Sequence, residues 1–255
     1  MFDTHMHTVF STDSNMKIEE AIDASKKINL GIIITEHMDI NFPRSGEFIF
    51  DVDKYFNEYS KYRNSNFLLG VELGMRDDCI LENKKIALSY DFDYIIGSVH
   101  VIDNIDIYDE EFYEGRSKKT VYKNYLNTAY NQIKNYDFVD SLGHVDYIAR
   151  YGRYDDKELY FNEFSDILSE IFKIIIEKNI VLELNTKRLK NQTSVEEMIK
   201  IYKRYYELGG RNVCLGSDAH YSSNIGSNFK KGQEIADLCK LKTIYFKSRK
   251  PEYNE

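Results

Sequence analysis

Seven short apolar runs, separated by longer stretches with helical periodicity, constrain this chain more than any other feature. They are MFDTHMH (1–7), GIIITEH (31–37), FLLGVELG (67–74), FDYIIGSVH (92–100), FVDSLGH (138–144), IVLELNT (180–186) and NVCLGSD (212–218). Runs this short and this continuously apolar read as strands buried on both faces, the usual state of a parallel sheet. Between the first two, MKIEEAIDASKKI sets Ile18, Ala21, Ile22, Ser25 and Ile28 along one helical face, with Ser14 or Asn15 as a cap. Further helical patterns cover 52–64, 78–90, 117–135, 157–178, 194–208 and 230–239. Seven such alternations without a Pro/Gly/Ser-rich linker predict one α/β domain spanning 1–255 with a mainly parallel sheet. KTIYFKS (242–248) is expected as an added edge strand. An open sheet and a closed barrel both satisfy this pattern. Neither G-x-G-x-x-G nor a P-loop follows any run, which counts against the nucleotide-binding versions.

The histidines sharpen the picture. The chain has six. His5 and His7 end the first run, His37 the second, His100 the fourth and His144 the fifth, and His220 lies just beyond the seventh. Chance supplies an H-x-H pair at about 0.14 per chain of this composition, so His5 and His7 alone decide little. A lone strand-end histidine is more often a structural donor than a ligand. All six at the same end of parallel strands is a different matter, because a barrel brings those ends to one mouth. In a strand, residues i and i+2 share a side, so His5 and His7 point the same way. Glu72 ends the third run and Asp218 the seventh, where a carboxylate needs solvent or a partner. Asp13, in FSTDS, reads by itself as a helix cap. Imidazole and carboxylate together, without a cysteine pair, favour Zn, Mn, Fe or Co.

Composition narrows the class. The net charge of −8 disfavours a broad nucleic-acid surface. Cys79, Cys214 and Cys239 form no CxxC pair and read as reduced thiols, as expected of a cytoplasmic protein. No long apolar run predicts a membrane span, and the N-terminus lacks the pattern of a signal peptide. No feature of the sequence addresses the oligomeric state.

The pieces DTHMHT, TEH, GVELG, IIGSVH, LGHVDYIARYGR, LELNT and GSDAH, in this order from residue 3 to residue 220, resemble the PHP (polymerase and histidinol phosphatase) superfamily, most closely its monofunctional histidinol-phosphatases. The resemblance implies a distorted (β/α)7 TIM-like barrel and a site holding two to three divalent ions. In the family's pattern His5, His7, Glu72 and Asp218 match the ligands of a first ion. Glu72 bridges to a second at His100 and His144, and Asp13, His37 and His220 match the ligands of a third. Many relatives have histidine at the position of Asp13; the family reading moves that residue from cap to ligand.

The implied activity is hydrolysis of a small phosphate monoester, L-histidinol phosphate, in histidine biosynthesis. Clustered cations would acidify a bridging water for direct attack on phosphorus. Arg153 and Arg188 follow the fifth and sixth runs and match the family's phosphate-contacting arginines, with Arg150 and Lys187 as neighbouring alternatives. Asp218 or His220 is expected to protonate the leaving alkoxide. Tyrosines and acids in DIYDEEFYEG (106–115) are candidates to meet the imidazole and amine of the substrate. Four other readings compete. A phosphotyrosine-protein phosphatase needs an open mouth, and a nuclease needs a basic, aromatic-interleaved strip that this acidic chain lacks. An amidohydrolase-like deaminase or lactonase expects a different ligand order. A non-catalytic metal-binding barrel expects lost ligands, and none is lost here.

Overall fold

The computed structural model describes residues 1–253. Its elements run β1 Phe2–Asp3, α1 Ile18–Lys27, β2 Gly31–Met38, α2 Val52–Tyr59, β3 Phe67–Gly74, α3 Ile80–Ser89, β4 Tyr94–Ser98, a β5 Val101–Ile102 and β6 Ile105–Asp106 hairpin, and α4 Lys118–Ile133. There follow β7 Ser141–Leu142, α5 Ile148–Tyr151, α6 Phe161–Glu177, β8 Val181–Asn185, α7 Gln192–Glu207, β9 Asn212–Gly216, α8 Phe229–Leu238, β10 Lys242–Lys247 and β11 Lys250–Tyr253.

The strands lie side by side in chain order, β1-β2-β3-β4-β7-β8-β9-β10-β11, with the hairpin apart. Pairing is parallel from β1 through β10, and β11 returns antiparallel to β10. The sheet also closes on itself. Thr4 N donates to Leu215 O at 2.9 Å, Asp218 N to His5 O at 2.8 Å and His7 N to Ala219 O at 2.9 Å, so the end of the seventh run seals against the first. The result is the expected seven-stranded barrel, distorted where β9 divides its length between β10 and the β1 segment.

Alternation along each strand sorts its side chains between two cores. Outward residues such as Ile32, Ile34, Leu69, Val71 and Ile95 meet the helices. Inward ones, Phe2, Ile33, Leu68, Tyr94, Ile96, Val181 and Cys214, form a dry floor inside the barrel together with Ile244 and Phe246 of β10. The 242–248 run is therefore not the edge strand the sequence predicts. It is covered by β11 and plugs the barrel, with the Phe246 ring stacked on Tyr94 at 5.4 Å.

Climbing two residues at a time from that floor leads straight to the polar end. Ile33 leads to Thr35 and His37 and Leu68 to Gly70 and Glu72 within the strands, while Ile96 and Ser98 lead to the end of β4, with His100 just past it, and Cys214 and Gly216 to the end of β9, with Asp218 and His220 just past it. Two strands break the rhythm. β1 and β7 each comprise two residues, and regular pairing stops just before His5 and His144. The shift of register there turns these two rings inward as well.

Helix α1 starts at Ile18, later than the expected cap. Ser14 instead donates its hydroxyl to His7 O at 3.0 Å and His220 O at 3.1 Å, tying two histidine-bearing loops together. Asp13 lies well before the helix and caps nothing.

Candidate metal centre

The carboxylate of Glu72 is fully buried and stands at the centre of the cluster. Its Oε2 lies 3.2 Å from His5 Nε2, 3.5 Å from His7 Nε2 and 3.0 Å from His37 Nδ1. Its Oε1 lies 2.8 Å from His144 Nε2 and 3.4 Å from His100 Nε2. The sixth histidine, His220, meets Asp13 at 2.8 Å, and Asp13 reaches His37 at 3.7 Å. Asp218 approaches His7 at 3.5 Å from the other flank. Asp218 has φ of +53°, a left-handed conformation that aspartate tolerates better than most residues, held by its bond to His5 O. Gly216 beneath it has no room for a side chain: a Cβ there would stand 2.6 Å from His5 Cβ and 2.2 Å from Glu183 Oε1.

Electrostatics inside the cluster pulls the groups apart. Burial opposes ionisation of Glu72, but His5, His100 and His37 outweigh it and hold its pKa well below the carboxylate range. Burial likewise opposes charge on His5 and His100, yet Glu72 and Glu183 raise the first and Asp39 and Glu72 the second well above the ordinary value. His37 rises to about 10: Glu72 and Asp13 overcome its burial. His7 moves the other way, lowered by burial and by the neighbouring His37 and His220.

Would these residues fit divalent ions? His5 and His7 aim their Nε2 atoms at each other across 3.1 Å, a separation in which one proton at most serves two basic nitrogens. Among the described residues, Glu72 Oε2, His37 Nδ1, His100 Nε2 and His144 Nδ1 are buried without a hydrogen-bond partner of acceptable geometry. Buried polar atoms left this way cost free energy unless something else satisfies them. Cations do so directly. Three sets, His5/His7/Glu72, Glu72/His100/His144 and His7/His37/His220, each bring their ligand atoms within 4.8 Å of one another. In the last, His7 stands where the sequence reading had Asp13; a further set joins Asp39 to His37 and His100.

Three buried acids behind the cluster escaped the sequence reading. Glu183 accepts from His5 Nδ1 and from the backbone N of His144, both at 2.6 Å. Asp39 accepts from His100 Nδ1 at 2.9 Å. Glu36 gathers Thr8 and Ser11, and Ser11 in turn meets His7 Nδ1 at 3.2 Å. A ring nitrogen held in this way fixes the tautomer and leaves the other nitrogen free as a ligand. The motifs TEH and LELNT contained the signal, an acid among apolar strand residues.

The cations are distributed differently from the sequence expectation. Arg153 donates to Tyr108 O at 2.9 Å from an exposed position. Arg188 is committed to Asp146 and Glu158, both at 2.6 Å. Arg150 and Lys187, the neighbouring alternatives, are the ones on Asp218: Arg150 Nη1 bonds Oδ2, and Lys187 Nζ lies 3.4 Å from Oδ1. Arg150 Nε and Nη2 are buried without a partner among the described residues. Beside the cluster, a cavity of about 310 Å³ is lined by Asp13, His37, Asp39 and His100, by Arg44 and Asp106, and by aromatic rings, of which Phe48 packs on His37 and Tyr147 on His100. A larger hollow of about 700 Å³ at the opposite end of the barrel holds charges that already pair, Arg63 with Asp93 and Arg249 with Asp140.

The PHP domain profile matches residues 3–187. The chain belongs to the PHP family. A probable histidinol-phosphatase of Clostridium acetobutylicum is 50% identical over 253 residues, covering 99% of both chains. A histidinol-phosphatase of Lactococcus lactis is 32% identical, covering 91% of this chain and 89% of its own. The crystal structure of histidinol phosphate phosphatase from Lactococcus lactis, complexed with zinc, L-histidinol and phosphate, superposes with a TM-score of 0.93 at 28% identity, covering 98% of each chain. An archaeal ribonuclease P structure with mature tRNA, at TM-score 0.53 and 14% identity, shares the fold alone. No helix of the described residues of this PHP protein is long and apolar enough to cross a membrane.

Proposed function

We propose that this chain is a metal-dependent phosphate-monoester hydrolase that converts L-histidinol phosphate and water to L-histidinol and phosphate. The observation that carries the reading is one buried carboxylate, Glu72, facing five imidazoles at the C-terminal mouth of a barrel. The relatives' names supply the substrate. In this reading the whole chain acts as a single barrel domain, in the cytoplasm, on a small soluble ester.

His5, His7, Asp13, His37, Glu72, His100, His144, Asp218 and His220 would hold two or three divalent ions. Such ions supply Lewis-acid chemistry, neutralising phosphoryl oxygens and acidifying water. The chain's own groups do the rest. Arg150 offers its buried Nε and Nη2 donors in the fork that suits a phosphate, and Lys187 adds a point charge. Arg153 and Arg188 stand one layer out and reach the phosphate only after exchanging Tyr108 O and the Asp146–Glu158 pair. For protonating the leaving oxygen, Asp218 is the poorer choice: Lys187, Arg150 and His5 outweigh burial and hold its carboxyl ionised. His220, with Nδ1 on Asp218 O and Nε2 on Asp13, fits that role only when it is not itself a metal ligand, because a coordinated ring nitrogen carries no proton to give.

The test is phosphate release from L-histidinol phosphate by protein reconstituted separately with Mn, Zn, Fe and Co. A kcat/KM of about 10⁴ M⁻¹s⁻¹ or more with one of them is expected. Turnover of aryl phosphates alone would keep the chemistry and remove the substrate.

A further inference from the structure

Glu36 sits where an acid is hardest to explain. It lies in β2 between Thr35 and His37, whose side chains face the barrel interior, so alternation turns it to the outer, helix-covered side of the strand. It is completely buried. Its hydrogen-bond partners among the described residues are all neutral. Thr8 N donates to both oxygens at 3.0 Å, the Thr8 hydroxyl to Oε1, and the Ser11 hydroxyl to Oε2 at 2.6 Å. Burial raises the carboxyl's pKa, and the bonds from Ser11 and Thr8 oppose the rise. Three converging donors suit the ionised form, which only accepts.

Counting protons fixes the direction of each bond. The Thr8 hydroxyl gives its one proton to Glu36, so the Tyr59 hydroxyl at the end of α2, 2.8 Å away, donates to Thr8. Ser11 likewise gives its proton to Glu36. Its oxygen then only accepts, from the backbone N of His37 at 3.0 Å and from His7 Nδ1 at 3.2 Å. His7 must therefore carry its proton on Nδ1. Its Nε2 is left bare where it faces His5 Nε2 and Glu72. Without an acceptor at Glu36, Ser11 is free to donate to His7 Nδ1 and send the ring's proton to the metal side.

Resting on the metal-binding reading above, we infer that Glu36, acting through Ser11, is a positioning residue that fixes the tautomer of His7 and so prepares the two ligand sets that include it, His5/His7/Glu72 and His7/His37/His220. Ser11 serves the second set twice, since it also holds the backbone of His37. The set Glu72/His100/His144 lies outside this chain of bonds: Asp39 orients His100, and Glu183 holds the backbone of His144. Glu36 itself touches neither ion nor substrate. It acts from behind the strand, by setting the direction of one hydroxyl.

Glu36→Gln tests this. Glutamine keeps the Thr8 amide and hydroxyl on its oxygen only when that oxygen takes the Oε1 position, which sets its NH₂ against Ser11. Ser11 then accepts from the NH₂ and gives its own proton to His7 Nδ1. Nitrogen NMR of metal-free protein carrying labelled histidine reads the tautomer, with the His7 signals assigned by their loss in His7→Gln. The His7 Nδ1 signal should move from the protonated to the unprotonated range. On reconstitution, chelator competition should find the positions that include His7 weakened about 10–100-fold and the Glu72/His100/His144 position unchanged. Tyr59→Phe removes the donor to Thr8 but leaves Ser11 on Glu36, so it should lower stability in urea without moving the tautomer. Ser11→Ala, which takes the acceptor from His7 Nδ1, should show both tautomers, and it carries the test if Glu36→Gln fails to fold. An unmoved tautomer in the folded variants, an equal movement in Tyr59→Phe, or equal weakening at every metal position overturns the inference and leaves the function standing. Wild-type protein that binds no divalent ion overturns both.

Discussion

Glu183→Gln is the most discriminating perturbation of the layer beneath the cluster. The carboxylate is completely buried and accepts two bonds of 2.6 Å, from His5 Nδ1 and from His144 N. His5 outweighs burial and keeps the acid ionised, its pKa below the ordinary value. A glutamine of the same shape has one acceptor and one donor end. If its NH₂ faces His144 N, a buried backbone donor is left unpaired, which costs about 1–3 kcal/mol. If it faces His5 Nδ1, the ring must accept there and carry its proton on Nε2, the atom that points at His7 and Glu72. Either way the variant loses, and the second outcome removes a ligand atom. Loss of such an outer partner weakens metal binding by about 10–100-fold. Chelator competition on reconstituted protein measures the affinity, and urea denaturation of the metal-free protein measures the fold. Lower stability with unchanged metal affinity would make Glu183 only a brace for the 144 backbone. No change in either would refute the argument.

Other consequences are equally concrete. His7→Ala or Glu72→Ala should remove bound metal, by elemental analysis, and phosphatase activity together; full activity in either would contradict the site. Arg150→Ala should raise KM about tenfold or more and relieve product inhibition by phosphate, with metal content retained. Arg153→Ala should act more weakly, because its guanidinium rests on Tyr108 O; the reverse order would return the phosphate to Arg153. Away from the site, burial raises the Asp140 carboxyl to about 6 despite its bond to Arg249. Its folded form therefore holds a proton more tightly than the unfolded chain, and that stabilisation, present at pH 4, is lost as pH rises through 6. In metal-free protein, Asp140→Asn should lack this slope, gaining about 2 kcal/mol relative to wild type between pH 4 and 7. A constant offset across that range would count against the shift.

How far the residues alone lead depends on the range of the interaction concerned. β3 spans the 67–74 run itself, because a short, continuously apolar segment reads locally as a buried strand. The 212–218 run contains β9, which ends two residues before Asp218. The inward facing of His37 and Glu72 follows from strand alternation within β2 and β3, a rule of period two that needs no tertiary information, whereas His100, Asp218 and His220 lie past the ends of β4 and β9. The hairpin at 101–106 and the β11 return at 250–253 did not stand out, being short, polar and paired only to a neighbour.

Strand order, barrel closure and the choice among cations lie beyond any local pattern. His5 and His144 reach the cluster through breaks in β1 and β7 that depend on seams with β9 and β8. Glu183 and Asp39 become meaningful only once the strands are side by side, since their shortest bonds, to His5, His144 and His100, come from other segments. Arg150, rather than Arg153, comes to Asp218 because the α5 turn aims one and not the other at the mouth. Local alternation is written into neighbouring residues and survives in the sequence as a pattern. The bond between groups 39 residues apart, from the backbone N of His144 to the Glu183 carboxylate, is decided by which segments the closed sheet brings together.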